Sequence, residues 1–249
     1  MQDNLDRREL QHFSSISDKW WDEEGPFAPL HALNPVRLRY ILDQIHHHYD
    51  IDEDSHTPLK GLKILDVGCG GGLVSEPLAR LGGDVTGIDA DQQAIEVARS
   101  HADEEGLNIT YKQTTSDALA LTHKGGFDIV CGLEIIEHVK VPEDFVQSLF
   151  DLTKDSGLVL ISTLNRTAKS YLLSIIGAEY ILKWLPKGTH TWSSFIRPHE
   201  LAAYVRRSGG RPVNVRGFVY NPLSREFSTD KKDLDNNYIL TATKSNKTD

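Results

Sequence analysis

Lys63-Ile-Leu-Asp-Val-Gly-Cys-Gly-Gly-Gly72 decides how the rest of this 249-residue chain is read. Ile64, Leu65, Val67 and the stem of Lys63 make a short apolar run that fits a buried strand, and Gly68-Cys69-Gly70-Gly71-Gly72 turns sharply out of it. Leu73, Val74, Leu78 and Leu81 then recur at helical spacing. Pro77 has no N–H to give and belongs among the first four helical residues, so the helix is predicted to begin near Leu73 or Val74. Strand, glycine turn and helix start form a nucleotide cradle, because a side chain at a glycine would hold the ligand off the backbone.

The spacing discriminates between ligands. A dinucleotide fingerprint needs Gly-x-Gly-x-x-Gly, and counted from Gly68 its last position is Leu73, which disfavours an NAD-dependent oxidoreductase. What stands here is Gly68-x-Gly70-x-Gly72 behind Asp66. That pattern resembles motif I of the class I S-adenosylmethionine-dependent methyltransferases. Asp84-Val-Thr-Gly-Ile-Asp89 reads as the next strand, ending in a carboxylate where a ribose belongs and where both sugar hydroxyls can donate to it. A glycine-rich turn without a ligand is the plainer alternative, and it leaves Asp66 and Asp89 unexplained.

The length suits one large α/β domain or two small ones, with a real core. A net charge of -9 argues against a nucleic-acid partner, since phosphate binding needs a basic face. The charge is uneven. Between Ile161 and Arg225 ten Lys and Arg face two acids, so that stretch asks for its own explanation. Mean hydropathy is -0.37, and no apolar run approaches the roughly 20 residues that span a bilayer. Met1-Gln-Asp-Asn-Leu-Asp-Arg-Arg8 lacks a signal peptide's apolar core, and Cys69 and Cys131 are too few for a disulfide framework. A cytoplasmic protein is predicted.

Residues 1–58 read as a helical cap and linker before a domain over 59–249. Phe13, Ile16, Trp20 and Trp21 recur at helical spacing, and packing against the core is the favoured role for the Trp pair. Asn34-Pro35 is expected to open a second helix carrying Leu38, Ile41, Leu42 and Ile45. Arg37, in its first turn, is placed to pair bidentately with a methionine carboxylate. His46, His47 and His48 precede a polar, acidic stretch closed by Pro58, and are read as a solvated linker more readily than as a metal site.

From Lys60 strands and helices alternate, the mark of a parallel sheet. Asp117 follows strand three, and in the methyltransferases that the glycine motif resembles an acid at this place contacts the adenine amino group; the alternative is that it caps the next turn. Phe127-Asp-Ile-Val-Cys-Gly132 is strand four, beside strand one at the topological switch point, which sets Leu133 next to the cofactor. Glu134-Ile-Ile-Glu-His138 comes next, and its spacing places Glu134, Glu137 and His138 roughly on one face of a helical turn. A hard divalent cation such as Mg²⁺ suits those ligands; alternatively His138 removes a phenolic proton directly. The structural alternative is that the two acids cap a helix while His138 packs.

Beyond strand five, Tyr171 to Leu185 is apolar but interrupted by Glu179 and Lys183. With Trp184 and Arg166, Lys169, Lys183 and Lys187 around it, the 166–192 insertion reads either as an interfacial segment on an anionic membrane or as a lid packed on the domain. His190 is a second candidate base. Val213 to Tyr220 and Tyr238 to Thr243 are expected as the last, antiparallel strands, joined through a loop at Asn221 to Phe227.

Trp20-Trp21-Asp22, Pro29-Leu-His31, Asn34-Pro35-Val-Arg37-Leu38, the Leu65 to Gly72 loop, Glu134-Ile-Ile-Glu-His-Val139, Ser162-Thr-Leu-Asn165 and Pro186-Lys-Gly-Thr-His190 together resemble the ubiquinone-biosynthesis O-methyltransferase family. The resemblance implies a seven-stranded sheet in the order 3-2-1-4-5-7-6 with strand seven antiparallel. It also implies two O-methylations of polyprenyl-substituted phenols or catechols, in the company of other ubiquinone-biosynthesis enzymes at the inner membrane face. The family's cofactor contacts carry over as Arg37, Gly68, Asp89 and Leu133, beside Asp66 and Gly70 of the glycine motif. Its Glu-x-x-Glu-His metal site matches Glu134, Glu137 and His138. The rivals are a quinone-ring C-methyltransferase and a non-catalytic cofactor- or lipid-binding scaffold.

Overall fold

The computed structural model describes residues 16–51, 55–171, 192–224 and 226–245. The apolar stretch beyond Tyr171, Lys183, Lys187 and His190 lie outside the described residues.

β1 (Lys63–Val67) is central, and its four residues after Lys63 are buried, as a strand covered on both faces requires. It pairs in parallel with β2 (Asp84–Asp89) and β4 (Phe127–Leu133). β3 (Thr110–Gln113), β5 (Thr153–Leu164), β6 (Gly210–Asn221), β7 (Glu226–Asp230) and β8 (Asn237–Lys244) complete the order β3-β2-β1-β4-β5-β8-β6-β7. The expected order is there, with β8 antiparallel between β5 and β6. β7 is the difference: part of an expected loop is an eighth strand, hairpinned on the edge of β6. Only Phe227 of its five residues is half-buried and the rest are exposed, so no alternation of apolar residues announced it.

Register sets the site. Val67 lies level with Ile88 and Gly132, so Gly68, Asp89 and Leu133 share one carboxyl rim. In chain order the helices are α1 (Ala28–Tyr49), α2 (Ser75–Arg80), α3 (Gln92–Glu104), α4 (Ser116–Ala120), α5 (Pro142–Leu152) and α6 (Pro198–Arg207), with a three-residue helical turn at Ala168–Ser170. Alternate strand residues face two layers. Ile64, Ile129, Leu158, Leu160 and Ile239 meet Tyr40, Ile41 and Ile45 of α1. Leu65, Val130, Val159, Ile161 and Leu240 meet Phe145 and Leu149 of α5 and Leu201 and Val205 of α6.

The amino-terminal expectations need correction. α1 opens at Ala28 with Pro29 in its first turn, and Pro35 lies inside it. Pro29 suits a helix start, whereas Pro35 removes only the bond to the His31 carbonyl in a helix anchored by the burial of Leu33, Tyr40 and Ile41. Arg37 is therefore mid-helix. Trp20 and Trp21 follow a 3-10 turn at Ser17–Lys19 and do not sit on a helix. α2 begins at Ser75, with Pro77 as its third residue.

Candidate active site

The loop leaving β1 has φ of +72° at Gly68, +51° at Gly70 and +92° at Gly72, a region that glycine enters without steric cost. The N–H groups of Gly68 and Cys69 donate to the Ile88 carbonyl at 2.8 and 3.0 Å, tying the loop to β2. Asp89 completes that tie: its Oδ2 accepts the Gly70 N–H and its Oδ1 the Asp91 N–H, both at 2.9 Å. Burial raises the Asp89 pKa, and these backbone donors pull it back. Each oxygen keeps a lone pair for a ribose hydroxyl. Asp66 is buried, and its Oδ2 accepts the Ser75 hydroxyl at 2.7 Å, joining β1 to the start of α2. Burial pushes its carboxyl up to about 6, against the pull of Ser75 and Arg37. Asp117 is the second residue of α4, but Thr115 is the cap, accepting the Ala118 N–H. The capping role is therefore taken, and Asp117 stands half-buried beyond the end of β3.

A strap from Ser17 to Phe27 crosses the glycine loop. Ser17 Oγ donates to Asp91 Oδ2 at 3.0 Å. The Trp20 side chain lies so close that a Cβ on Gly70 or Gly71 would collide with it, and its ring stacks on Phe27 at 3.8 Å. Trp21 donates its indole N–H to the Gly71 carbonyl at 3.0 Å and stacks on His101 at 3.6 Å. The Trp pair packs as expected, with the cofactor loop itself as its floor. No sequence signal assigned Ser17 or the strap to this place.

Arg37 reaches the rim from α1, buried among Glu134, Asp66, Glu137 and Cys131; burial lowers its pKa and those groups oppose the change. Its Nε and Nη2 are buried without a hydrogen-bond partner. These two nitrogens share one edge of the guanidinium, the fork that a carboxylate fits. The amino-acid end of S-adenosylmethionine supplies such a carboxylate, so the residues present fit the cofactor.

Beside the glycine loop lies an acidic rim, and the two touch: a Cβ on Gly68 would come within 2.9 Å of the Ile135 side chain. Leu133 ends β4, buried. Glu134 follows with φ of +53°, its N–H donating to the Ser162 carbonyl at 3.1 Å. Its Oε1 accepts the Ser162 hydroxyl at 2.5 Å and its Oε2 the Asn237 side-chain amide at 2.9 Å. Glu137 and His138 sit in a 3-10 turn, Ile136–His138, and Glu137 Oε2 accepts the Thr163 hydroxyl at 2.8 Å. Ser162 and Thr163 are consecutive on β5 and point to opposite faces. Glu134 is thus tied to the α1 face and Glu137 to the α5–α6 face.

That geometry corrects the single helical face expected for Glu134, Glu137 and His138. The left-handed backbone at Glu134 breaks the helical path, and side chains of β5 and β8 pull the two acids apart. Among the described residues no group of three or more His, Cys, Asp and Glu is placed to hold a metal ion, so the three-ligand set is not assembled. What remains is a pair of carboxylates: burial pushes the Glu137 carboxyl up, Glu134 pushes it further, and His138 pulls it down.

A glycine loop at the switch point of a mostly parallel sheet, an acid ending the second strand and an orphaned arginine fork define a class I S-adenosylmethionine-dependent methyltransferase. The methyltransferase-domain family model matches residues 38–214. The chain is 49% identical to the ubiquinone biosynthesis O-methyltransferase of Roseobacter denitrificans, covering 98% of both chains, and 48% identical to the protein of the same name in Dinoroseobacter shibae, covering 94% of both. It belongs to the ubiquinone biosynthesis O-methyltransferase family. The fold is shared with magnesium protoporphyrin IX methyltransferase of Synechocystis, solved with bound S-adenosylhomocysteine, at a TM-score of 0.63, 16% identity and coverage of 95% of this chain and 100% of that one. It is shared too with 1,6-didemethyltoxoflavin-N1-methyltransferase of Burkholderia thailandensis, at 0.62, 15% identity and coverage of 99% and 93%.

Proposed function

We propose that this enzyme transfers the methyl group of S-adenosylmethionine to phenol and catechol hydroxyls of polyprenylated intermediates in ubiquinone biosynthesis, at both O-methylation steps. Within the chain, the observation that carries this reading is the pair of half-buried Glu134 and buried Glu137, with His138 beside it, immediately past Leu133 at the cofactor rim. Asp89 takes the ribose, Arg37 the amino-acid carboxylate and Asp117 the adenine amino group. Leu133 packs beside the cofactor, Gly68 and Gly70 let it approach the backbone, and Asp66 braces the loop from below.

The sulfonium methyl is already activated, and the chain's task is to bring an oxygen nucleophile in line with it. A phenol has a pKa near 10, so only about one molecule in a thousand is ionised at neutral pH. A base works best with a pKa near the operating pH. Glu137, held up to about 7 by burial and by Glu134, meets that requirement, and the single proton leaving the substrate oxygen passes to the Glu137 carboxylate, beside His138.

The apolar stretch from Tyr171 to Leu185 and the basic residues around it support a further part of this reading: a cytoplasmic enzyme resting on an anionic inner-membrane surface, near other ubiquinone-biosynthesis enzymes. No helix among the described residues is long and apolar enough to cross a membrane. Flotation with liposomes tests it, and failure to float with or without acidic lipid removes it.

The central test supplies purified enzyme with labelled S-adenosylmethionine and a short-chain catechol, with EDTA and then with added Mg²⁺ to isolate any contribution of a cation. An ether methyl in the product is the expected result. A ring methyl, or no transfer under either condition, overturns the proposal.

A further inference from the structure

Asn34 stands one helical turn before Arg37 on α1, so both side chains share a face of that helix. Its Nδ2 donates to the Leu73 carbonyl at 2.7 Å, at the far end of the glycine loop. A carbonyl only accepts, so this bond fixes which end of the amide is which. Its Oδ1 is therefore a committed acceptor, and it is buried without a partner. Around the same loop the Arg37 fork is also unpartnered, as is the indole nitrogen of Trp20, whose ring lies over Gly70 and Gly71. Buried polar atoms left unpaired are few in native proteins, and three residues flanking one ligand loop mark a place where a ligand completes them. Their chemistry is sorted: nitrogen donors on Arg37 and Trp20, an oxygen acceptor on Asn34. An α-amino acid carries the matching pair, a carboxylate that accepts and an ammonium that donates.

We infer that Asn34 binds the ammonium of the cofactor's amino-acid end through Oδ1, next to the carboxylate held by Arg37, so that this enzyme selects donors with an intact amino-acid group. The inference rests on the proposed role of Arg37. Leu73 is the second partner in the arrangement: by holding the amide, its carbonyl couples the position of the glycine loop to occupation of the ammonium site.

Calorimetry on the full chain compares S-adenosylhomocysteine, its analogue lacking the amine, and 5′-methylthioadenosine, which lacks the whole amino-acid end. Asn34→Leu is expected to weaken S-adenosylhomocysteine roughly tenfold or more, as loss of a hydrogen bond to a charged group does, and to leave 5′-methylthioadenosine within about twofold. The deaminated analogue is expected to bind wild type and variant alike, because the substitution and the missing amine remove the same contact. Asn34→Asp, which keeps an acceptor oxygen, is expected to restore preference for the amine. Asn34→Ser, too short to reach, replaces Asn34→Leu should that variant not fold. Equal weakening of all three ligands, or additive losses from substitution and amine removal, overturns the inference. Arg37→Met separates the two readings. If it alone abolishes discrimination against 5′-methylthioadenosine, the Arg37 role stands and the Asn34 role falls; if it changes nothing, both fall.

Discussion

The glycine loop after β1 and the acidic rim after β4 meet where Ile135 packs against Gly68, yet they are made of different materials. The loop is backbone: three positive φ angles, N–H groups donating to Ile88, and one carboxylate, Asp89, clamping Gly70. The rim is side chain on side chain, with Glu134 and Glu137 held by Ser162, Thr163 and Asn237, residues 26 to 103 positions away in sequence. A backbone cradle fixes a ligand whose shape does not change in the reaction. Buried side-chain acids hold charge and protons, which do change. Damage to the loop should therefore show in cofactor affinity and damage to the rim in turnover.

The sharpest way to break that division is the double substitution Glu134→Gln, Glu137→Gln. Turnover with a catechol should fall by about 10²–10⁴-fold, the range of general acid-base catalysis, while calorimetry returns a cofactor Kd within about threefold of wild type. A matching loss of cofactor affinity would mean that the acids serve the cradle. Asp89→Ala is the converse. It removes the acceptor for the ribose and for Gly70 together, and the cofactor Kd should rise about 10- to 100-fold with kcat at saturation nearly unchanged. A large fall in saturated kcat would refute the separation from the other side.

A smaller effect probes how the rim is held. Asn237→Ser shortens the donor to Glu134 Oε2 and should lower kcat about tenfold without moving the cofactor Kd, with the pH profile displaced because a moved Glu134 carboxylate acts differently on Glu137. An unchanged profile with lower kcat would leave Asn237 a packing residue only.

The same contrast explains what could be read from the residues. Gly68 to Gly72, Asp66 and Asp89 were legible because backbone geometry, glycine freedom and strand ends are local properties; the alternation of strands and helices marked a parallel sheet, and the order of its strands came from the family resemblance. The rim was legible in composition but not in shape. Spacing placed Glu134, Glu137 and His138 on one helical face, and nothing near them in sequence says that β5 offers hydroxyls to both faces of the sheet. Ser162 and Thr163 stood out as part of a motif without an assigned role. Asn237 carried no signal, since its contact crosses from the antiparallel strand that closes the sheet. The amino terminus failed for a related reason: Pro35 reads as a helix start, and only the burial of its neighbours lets the helix run through it.

The two acids should differ as their surroundings require. Glu137 is 6% exposed, and its carboxyl moves from 4.5 to about 7 on folding, first through burial and then through Glu134. A raised carboxyl pKa means that the native state binds the proton more tightly than the unfolded chain. The contribution to stability is therefore fully present below pH 4.5 and is lost as pH rises through about 7. At ~1.4 kcal/mol per pKa unit, the ceiling for this loss is roughly 3–4 kcal/mol. Glu137→Gln carries no titrating proton there, so its urea stability curve should be flatter across that window, and the variant should exceed wild type at pH 8 by about 1–3 kcal/mol. Asp66, raised to about 6, contributes a slope of the same sign in both proteins and cancels in the difference. Glu134→Gln should act differently. It removes the repulsion without removing the titrating group, so the slope should persist but shift to lower pH. Parallel curves for wild type and Glu137→Gln would show that Glu137 keeps an ordinary carboxylate's affinity for protons, and the rim would then lose its claim to be the enzyme's proton acceptor.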